Sequence, residues 1–360
     1  MSRIVAVAPA LPTHVYPQAE ISAEIGGLLT RDPGRRALLD RVHASSGIET
    51  RHLALPLEKY AGLSSFGESN DLFLREGAEL ARRAVLDALD AAALRPADVD
   101  VLVFTTVTGV SAPSLDALLV EPLGLRPDVR RVPSFGLGCA GGAAGLGIVA
   151  DHLAAHPDAV AVLLSVELCS LTFQQDDDST ANLVASGLFG DGAAAAVLVG
   201  EARAAATGAA GVDGPEVVGA RSVLYPGTTG ELGWQVGGSG LRIVLSGGMA
   251  DTVAAHAAGD VAALLAPLGA TAADVDRWVV HPGGPKILDA VQESLGLPEG
   301  ALAVSRATLA RTGNLSSAAV LHVLAATEPG PPGGLGVVLA FGPGVGAELV
   351  ALRWPGRAAA

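Results

Sequence analysis

The chain repeats itself, and that repetition limits what it can fold into more than any other feature. Ala97-Asp98-Val99-Asp100, followed by the apolar run VLVF, recurs 176 residues later as Ala273-Asp274-Val275-Asp276 followed by RWVV. Leu115-Asp116-Ala117 and Leu288-Asp289-Ala290, 173 residues apart, each lead to a Leu-Gly-Leu. FGDGAAAAVLVG from Phe189 answers FGPGVGAELVAL from Phe341, and the smaller offset of 152 residues implies one shortened connection. Each copy reads as helix, buried strand, loop, helix, a Gly- or Ser-rich turn into another helix, and a closing strand. Short apolar runs alternating with longer helical patterns predict an α/β fold with largely buried sheets. The expected halves are 1–215 and 216–360. Corresponding loops of two related halves tend to meet at their pseudo-twofold axis, where a site can form.

Three chemically active residues sit on those loops. The first half supplies Cys139, in GLGCAGG; the second supplies His281, in HPGGP, and Asn314, in TGNLSS. Glycines around Cys139 allow a tight turn, and the Ala/Gly-rich stretch after it reads as a buried helix. A thiol at a helix N-terminus feels the positive end of the macrodipole, so the sequence predicts a lowered pKa. A thiolate there can attack a thioester and carry the acyl group. Buried free cysteines are ordinarily small hydrophobes, but the glycines and the repeat-linked His and Asn favour chemistry. Of the eight histidines, only His281 ends a predicted buried strand and opens into a Gly-Gly loop. Asn314 has two readings: a cap for a helix beginning at Ser316, or an amide that joins His281 in donating to a developing oxyanion.

Other functions fit poorly. A formal net charge of −14 and only two lysines, Lys59 and Lys286, argue against a nucleic-acid surface. Two cysteines make no disulfide framework, and no Cys/His cluster offers metal ligands. No apolar run reaches the roughly 18 residues of a membrane span, and the N-terminus lacks a signal-peptide pattern, so the expected location is cytoplasmic. GLGCAG matches a dinucleotide fingerprint, but no acidic ribose partner stands about 20 residues on. The run Asp176-Asp177-Asp178 reads as a solvated loop rather than a metal site.

GLGCAGG, SLTF, GLFGDGAAAAVLVG, VVHPGGPKIL, TGNLSS and AFGPGVGAEL, in this order, resemble the type III polyketide synthases, the chalcone and stilbene synthase family, in its bacterial type. The resemblance covers essentially the whole chain. It implies a thiolase-like five-layered αβαβα fold with two pseudo-symmetric halves, and a homodimer. It further implies an acyltransferase without metal or redox cofactor, in which Cys139 carries an acyl group taken from an acyl-CoA starter. His281 and Asn314 would activate the cysteine and stabilise the enolate left when malonyl-CoA, the extender, loses carbon dioxide.

The resemblance also assigns a substrate pocket. Phe189 matches a gatekeeper phenylalanine, whereas Ile243 stands where a second aromatic is usual. Cys169 and Thr172 match lining positions, as does Ser316, and Ala112 falls where a residue reaches across the dimer interface. Arg41 matches one CoA-binding base, Leu38 and Ser45 replace others, and Lys286 can compensate. Loss of bulk at Ile243 and Ala112 predicts room for a long aliphatic starter and an alkylresorcinol or alkylpyrone product. Cys169 points the other way, to a tetrahydroxynaphthalene synthase primed by malonyl-CoA. Two readings without condensation are an inactive thiolase-fold acyl-binding protein and an acyl transferase or hydrolase.

Overall fold

The computed structural model describes residues 1–175, 177–206 and 214–356. The repeated Asp-Val-Asp segments open both halves with the same device. Asp98 accepts the backbone N–H of Arg95 at 2.9 Å, and Asp274 that of Thr271 at 2.8 Å. Each carboxylate thus closes a short 3-10 turn and aims the chain into a buried parallel strand.

The strands are β1 (Ser2–Ala10), β2 (His14–Pro17), β3 (Thr50–Leu53), β4 (Val101–Thr106), β5 (Arg130–Phe135), β6 (Val160–Leu168) and β7 (Asp191–Gly200), followed by β8 (Glu216–Leu224), β9 (Leu232–Gly237), β10 (Gly240–Leu245), β11 (Val275–Val280), β12 (Leu335–Gly342) and β13 (Gly346–Arg353). Nine of them form one sheet in the order β11-β12-β13-β8-β1-β7-β6-β4-β5, while β9-β10, a hairpin, and β2-β3 are separate antiparallel pairs.

The duplication is legible in the pairing. In the first half β4 and β6 are parallel, and β6-β7 and β7-β1 antiparallel; in the second, β11 and β12 are parallel, and β12-β13 and β13-β8 antiparallel. The halves join at a seam of two residue pairs, Ser2 with Val217 and Arg3 with Glu216. The shortened connection lies between β12 and β13, where Pro343–Val345 suffice; its counterpart, between β6 and β7, runs from Cys169 to Gly190. That longer connection carries much of the expected pocket.

Helices complete five layers. Phe66–Ala91 covers the outer face of the first-half sheet, burying Leu80, Ala84 and Val85 against Val162, Leu164 and Val197. Gly141–Ala155 and Ala319–Ala326 form the middle layer between the two halves of the sheet, through Leu146, Val149, Val320 and Val323. Met249–Leu265 and Pro285–Ser294 cover the outer second-half face. Strands buried on both faces explain the nearly unbroken apolar runs. Among the described residues no helix is long and apolar enough to cross a membrane.

The acidic run is a loop, as the sequence suggested, with Asp178 exposed. Asp177 pairs with Arg242 at 3.5 Å, and the Asp178 carbonyl accepts from the Arg35 guanidinium. Asp176 lies outside the described residues.

Candidate active site

Cys139 sits in the 3-10 turn Gly138–Ala140 that enters the middle-layer helix Gly141–Ala155. Gly138 adopts φ +49°, a left-handed conformation that glycine tolerates. Gly142 has a different reason: a Cβ there would stand 2.4 Å from the Ser317 carbonyl. Glycine therefore lets the two middle helices, related by the duplication, approach closely enough for their N-terminal turns to meet.

Asn314 comes from the second of those turns and fills both roles the sequence left open. Its Oδ1 accepts the Ser316 N–H at 2.8 Å, as a cap does. That bond fixes the amide, so Nδ2 faces the other way and donates to the Gly283 carbonyl at 3.3 Å. The same side chain favours the ionised form of the Cys139 thiol. Asn314 thus ties the Ser316 turn to the HPGG loop that begins with His281 at the end of β11. Ser316, with φ +48°, also approaches the thiol, its Oγ lying 3.7 Å from Sγ.

Burial sets the protonation of the site. Removal from water pushes the Cys139 thiol up to about 12; hydrogen bonds from Ser316 and Asn314 oppose this, and the Glu167 charge reinforces it. Loss of hydration thus works against the lowered pKa expected from the helix terminus. Burial also holds His281 down at about 3, so its imidazole is neutral, and both ring nitrogens lack a hydrogen-bond partner among the described residues. A neutral base with a free nitrogen can take a proton from a neutral thiol as the thiol attacks.

Around Sγ lies a narrow cavity lined by Cys139, Phe189, Trp234, Ile243, Ser316 and Pro343 among others. Cys169 is fully buried beside it, packed with Phe189, Leu188 and Ile243. Thr172 lines a larger neighbouring cavity instead, and its hydroxyl donates back to the Cys169 carbonyl at 2.7 Å and holds the turn. Ala112 is exposed, in a separate surface pocket with Val110 and Phe135. Arg41 and Lys286 are exposed on neighbouring elements: the loop after the Arg41 helix brings Gly47 toward Pro285, where an added Cβ would lie 3.6 Å from the ring.

Sequence reasoning missed Trp234 and Glu167. Trp234 faces Ile243 across the β9-β10 hairpin, and a Gly-Gly-Ser-Gly turn between WQV and LRI was the available signal. Glu167 is buried on β6 and accepts from Thr106 Oγ1, the Val107 N–H, Thr108 Oγ1 and Ser317 Oγ, the last at 2.5 Å. Burial raises its pKa. Nothing local in VEL marks it.

Two duplicated halves, with Cys139 and Asn314 on the corresponding turns that enter their middle helices, define a thiolase-fold acyltransferase of the condensing type. Sequence models of the chalcone and stilbene synthases match the chain, the N-terminal domain over residues 1–202 and the C-terminal domain over 216–354. A 1,3,6,8-tetrahydroxynaphthalene synthase of Streptomyces peucetius subsp. caesius is 53% identical over 98% of this chain and 93% of its own. An alpha-pyrone synthesis polyketide synthase-like protein of Mycobacterium tuberculosis is 32% identical over 95% of this chain and 88% of its own. The crystal structure of 1,3,6,8-tetrahydroxynaphthalene synthase from Streptomyces coelicolor superposes with a TM-score of 0.90, at 31% identity over 98% of this chain and 99% of that one. The chain belongs to the chalcone and stilbene synthase family. It is a type III polyketide synthase, working on coenzyme A thioesters. Among the described residues no His, Cys, Asp and Glu side chains group to hold a metal ion.

Proposed function

We propose that the protein primes itself with malonyl-CoA and builds a polyketide that closes to a polyhydroxylated naphthalene of the 1,3,6,8-tetrahydroxynaphthalene type. The observation that carries this reading is the tight Cys139 cavity, where Trp234, Phe189 and Ile243 surround a thiol backed by Cys169. The relative at 53% identity, named for that product, supports it. Cys139 attacks the thioester carbonyl, its proton passes to His281, and the coenzyme A thiol leaves. A second malonyl-CoA then loses carbon dioxide; the electron pair of the broken C–C bond forms an enolate whose oxygen accepts hydrogen bonds from Asn314 Nδ2 and the His281 ring. The enolate carbon attacks the acyl-Cys139 carbonyl and expels the thiolate, which recaptures the lengthened chain. Arg41 and Lys286 hold coenzyme A phosphates at the entrance, in a chain otherwise strongly acidic. The same reading includes a homodimer through the apolar face with Val110, Ala112 and Phe135.

A second reading is a long aliphatic starter leading to an alkylpyrone or alkylresorcinol. It draws support from the larger neighbouring cavity, which Ile25, Leu28, Leu29 and Leu171 line together with Thr172. Incubation with labelled malonyl-CoA alone, and with a long acyl-CoA in competition, separates the two. A naphthol from malonyl-CoA alone, absent with Cys139→Ala, is the expected result; alkylated products displacing it would select the second reading.

A further inference from the structure

Residues Gly187, Leu188 and Phe189 offer three successive carbonyls, and each is held by a different donor. Gln18 Nε2 donates to the Gly187 carbonyl at 2.9 Å, the Asn314 N–H to that of Leu188 at 2.8 Å, and Arg51 Nη1 to that of Phe189 at 2.7 Å. Arg51 Nε in turn donates to Gln18 Oε1 at 2.9 Å, so the outer two donors act as one unit. The Gly190 N–H returns to the Asn314 carbonyl at 3.0 Å and completes a parallel bridge between Phe189 and Asn314. The segment bearing the Phe189 ring and the segment bearing the Asn314 amide therefore share one register.

Arg51 is an unusual side chain for this place. It is fully buried, and burying a guanidinium is costly unless its charge and donors are used. Its charge lies near Asp191, whose carboxylate accepts from Ala54 and Ser170. Its stem backs the other strand of the bridge, since a Cβ on Gly313 would stand 3.0 Å from Arg51 Cδ and 2.8 Å from the Leu188 carbonyl. An apolar residue would fill the same volume at least as well. What the planar fork adds is a fixed direction for two donors at once.

We propose that Arg51 and Gln18 are positioning residues for the condensation: they lock Phe189 in register with Asn314 and so keep the Cys139 cavity closed while the chain is extended. This rests on the reading of Phe189 and Asn314 as site residues. With the clamp loosened, Phe189 shifts against Asn314, water reaches the acyl-Cys139 thioester, and chains leave early.

Gln18→Glu tests the clamp with little change of volume, since it still accepts from Arg51 but cannot donate to Gly187; Gln18→Met removes both contacts. Arg51→Lys keeps the charge beside Asp191 and loses the fork. Two readouts are taken on each folded variant. The first is the ratio of truncated to full-length products from malonyl-CoA, expected to rise roughly fivefold while carbon dioxide release stays within about twofold. The second is the peptide-resolved iodoacetamide alkylation rate of Cys139, expected to rise about threefold. Arg51→Lys should fall between wild type and Gln18→Met. Unchanged alkylation in both Gln18 variants overturns the proposal, as does an unchanged product ratio with activity falling only as folded protein is lost. Should wild type extend no malonyl-CoA, the functional reading fails on that result and the alkylation arm alone decides the clamp.

Discussion

Trp234 and Ile243 face each other across the β9-β10 hairpin, three residues out from the Gly237-Gly240 closing pair, and the Trp234 ring lies 6.5 Å from that of Phe189. Judged alone, Ile243 removes an aromatic from the pocket. Its cross-strand neighbour supplies one from the other side, because paired side chains on one face of a hairpin occupy common space. The aromatic missing at Ile243 is thus present on its cross-strand neighbour, which no single-residue comparison weighed.

Removing that bulk should change the starter. Trp234→Ala is expected to raise kcat/KM for a medium-chain acyl-CoA roughly tenfold relative to malonyl-CoA priming, about 1.4 kcal/mol of differential transition-state binding. Competition assays with both thioesters measure this. An unaltered preference would mean that Trp234 does not bound the starter.

Asn314→Ala should cost about two to three orders of magnitude in carbon dioxide release from malonyl-CoA, as expected for loss of a preset donor. Cys139→Ala should abolish chain extension. Because Asn314 Oδ1 also caps the Ser316 N–H, Asn314→Asp should keep much of the stability lost in Asn314→Ala while remaining slow, since a carboxylate accepts but does not donate. Melting curves beside decarboxylation rates separate the two roles.

Acid should destabilise the fold through its buried histidines. Burial holds His281 near 3, and His43 and His322 near 4, all below the ordinary 6.5. The unfolded chain then binds more protons than the native one, so stability falls as pH drops below about 6.5 and is lost progressively toward 3. Cys139, raised to about 12 from 9, acts in the opposite sense, and its contribution declines as pH rises through 9. His281→Gln should flatten the acid limb of a denaturation series; an unchanged slope would show that His281 is hydrated in the folded protein.

Lys286→Ala and Arg41→Ala should each raise KM for malonyl-CoA several-fold with little effect on kcat, the pattern of lost uniform binding. The effect should shrink as salt rises, since both side chains are exposed. A fall in kcat at unchanged KM would remove them from the coenzyme A entrance.

The sequence by itself determined the duplicated architecture and where its corresponding turns fall. Asp98 and Asp274, Cys139 and Asn314, and the strand that delivers His281 follow local patterns written twice, and a pattern written twice survives without knowledge of the third dimension. Tertiary structure alone decided three other things. It pushed the Cys139 pKa up, because desolvation depends on everything packed around the thiol. It set Trp234 against Ile243, because hairpin register is fixed by a turn rather than by either residue. It buried Arg51, which reads as an ordinary surface charge in IETRHL, behind Phe189, 138 residues further along the chain. These are contacts between segments remote in sequence, and only the packing of the two halves brings them together.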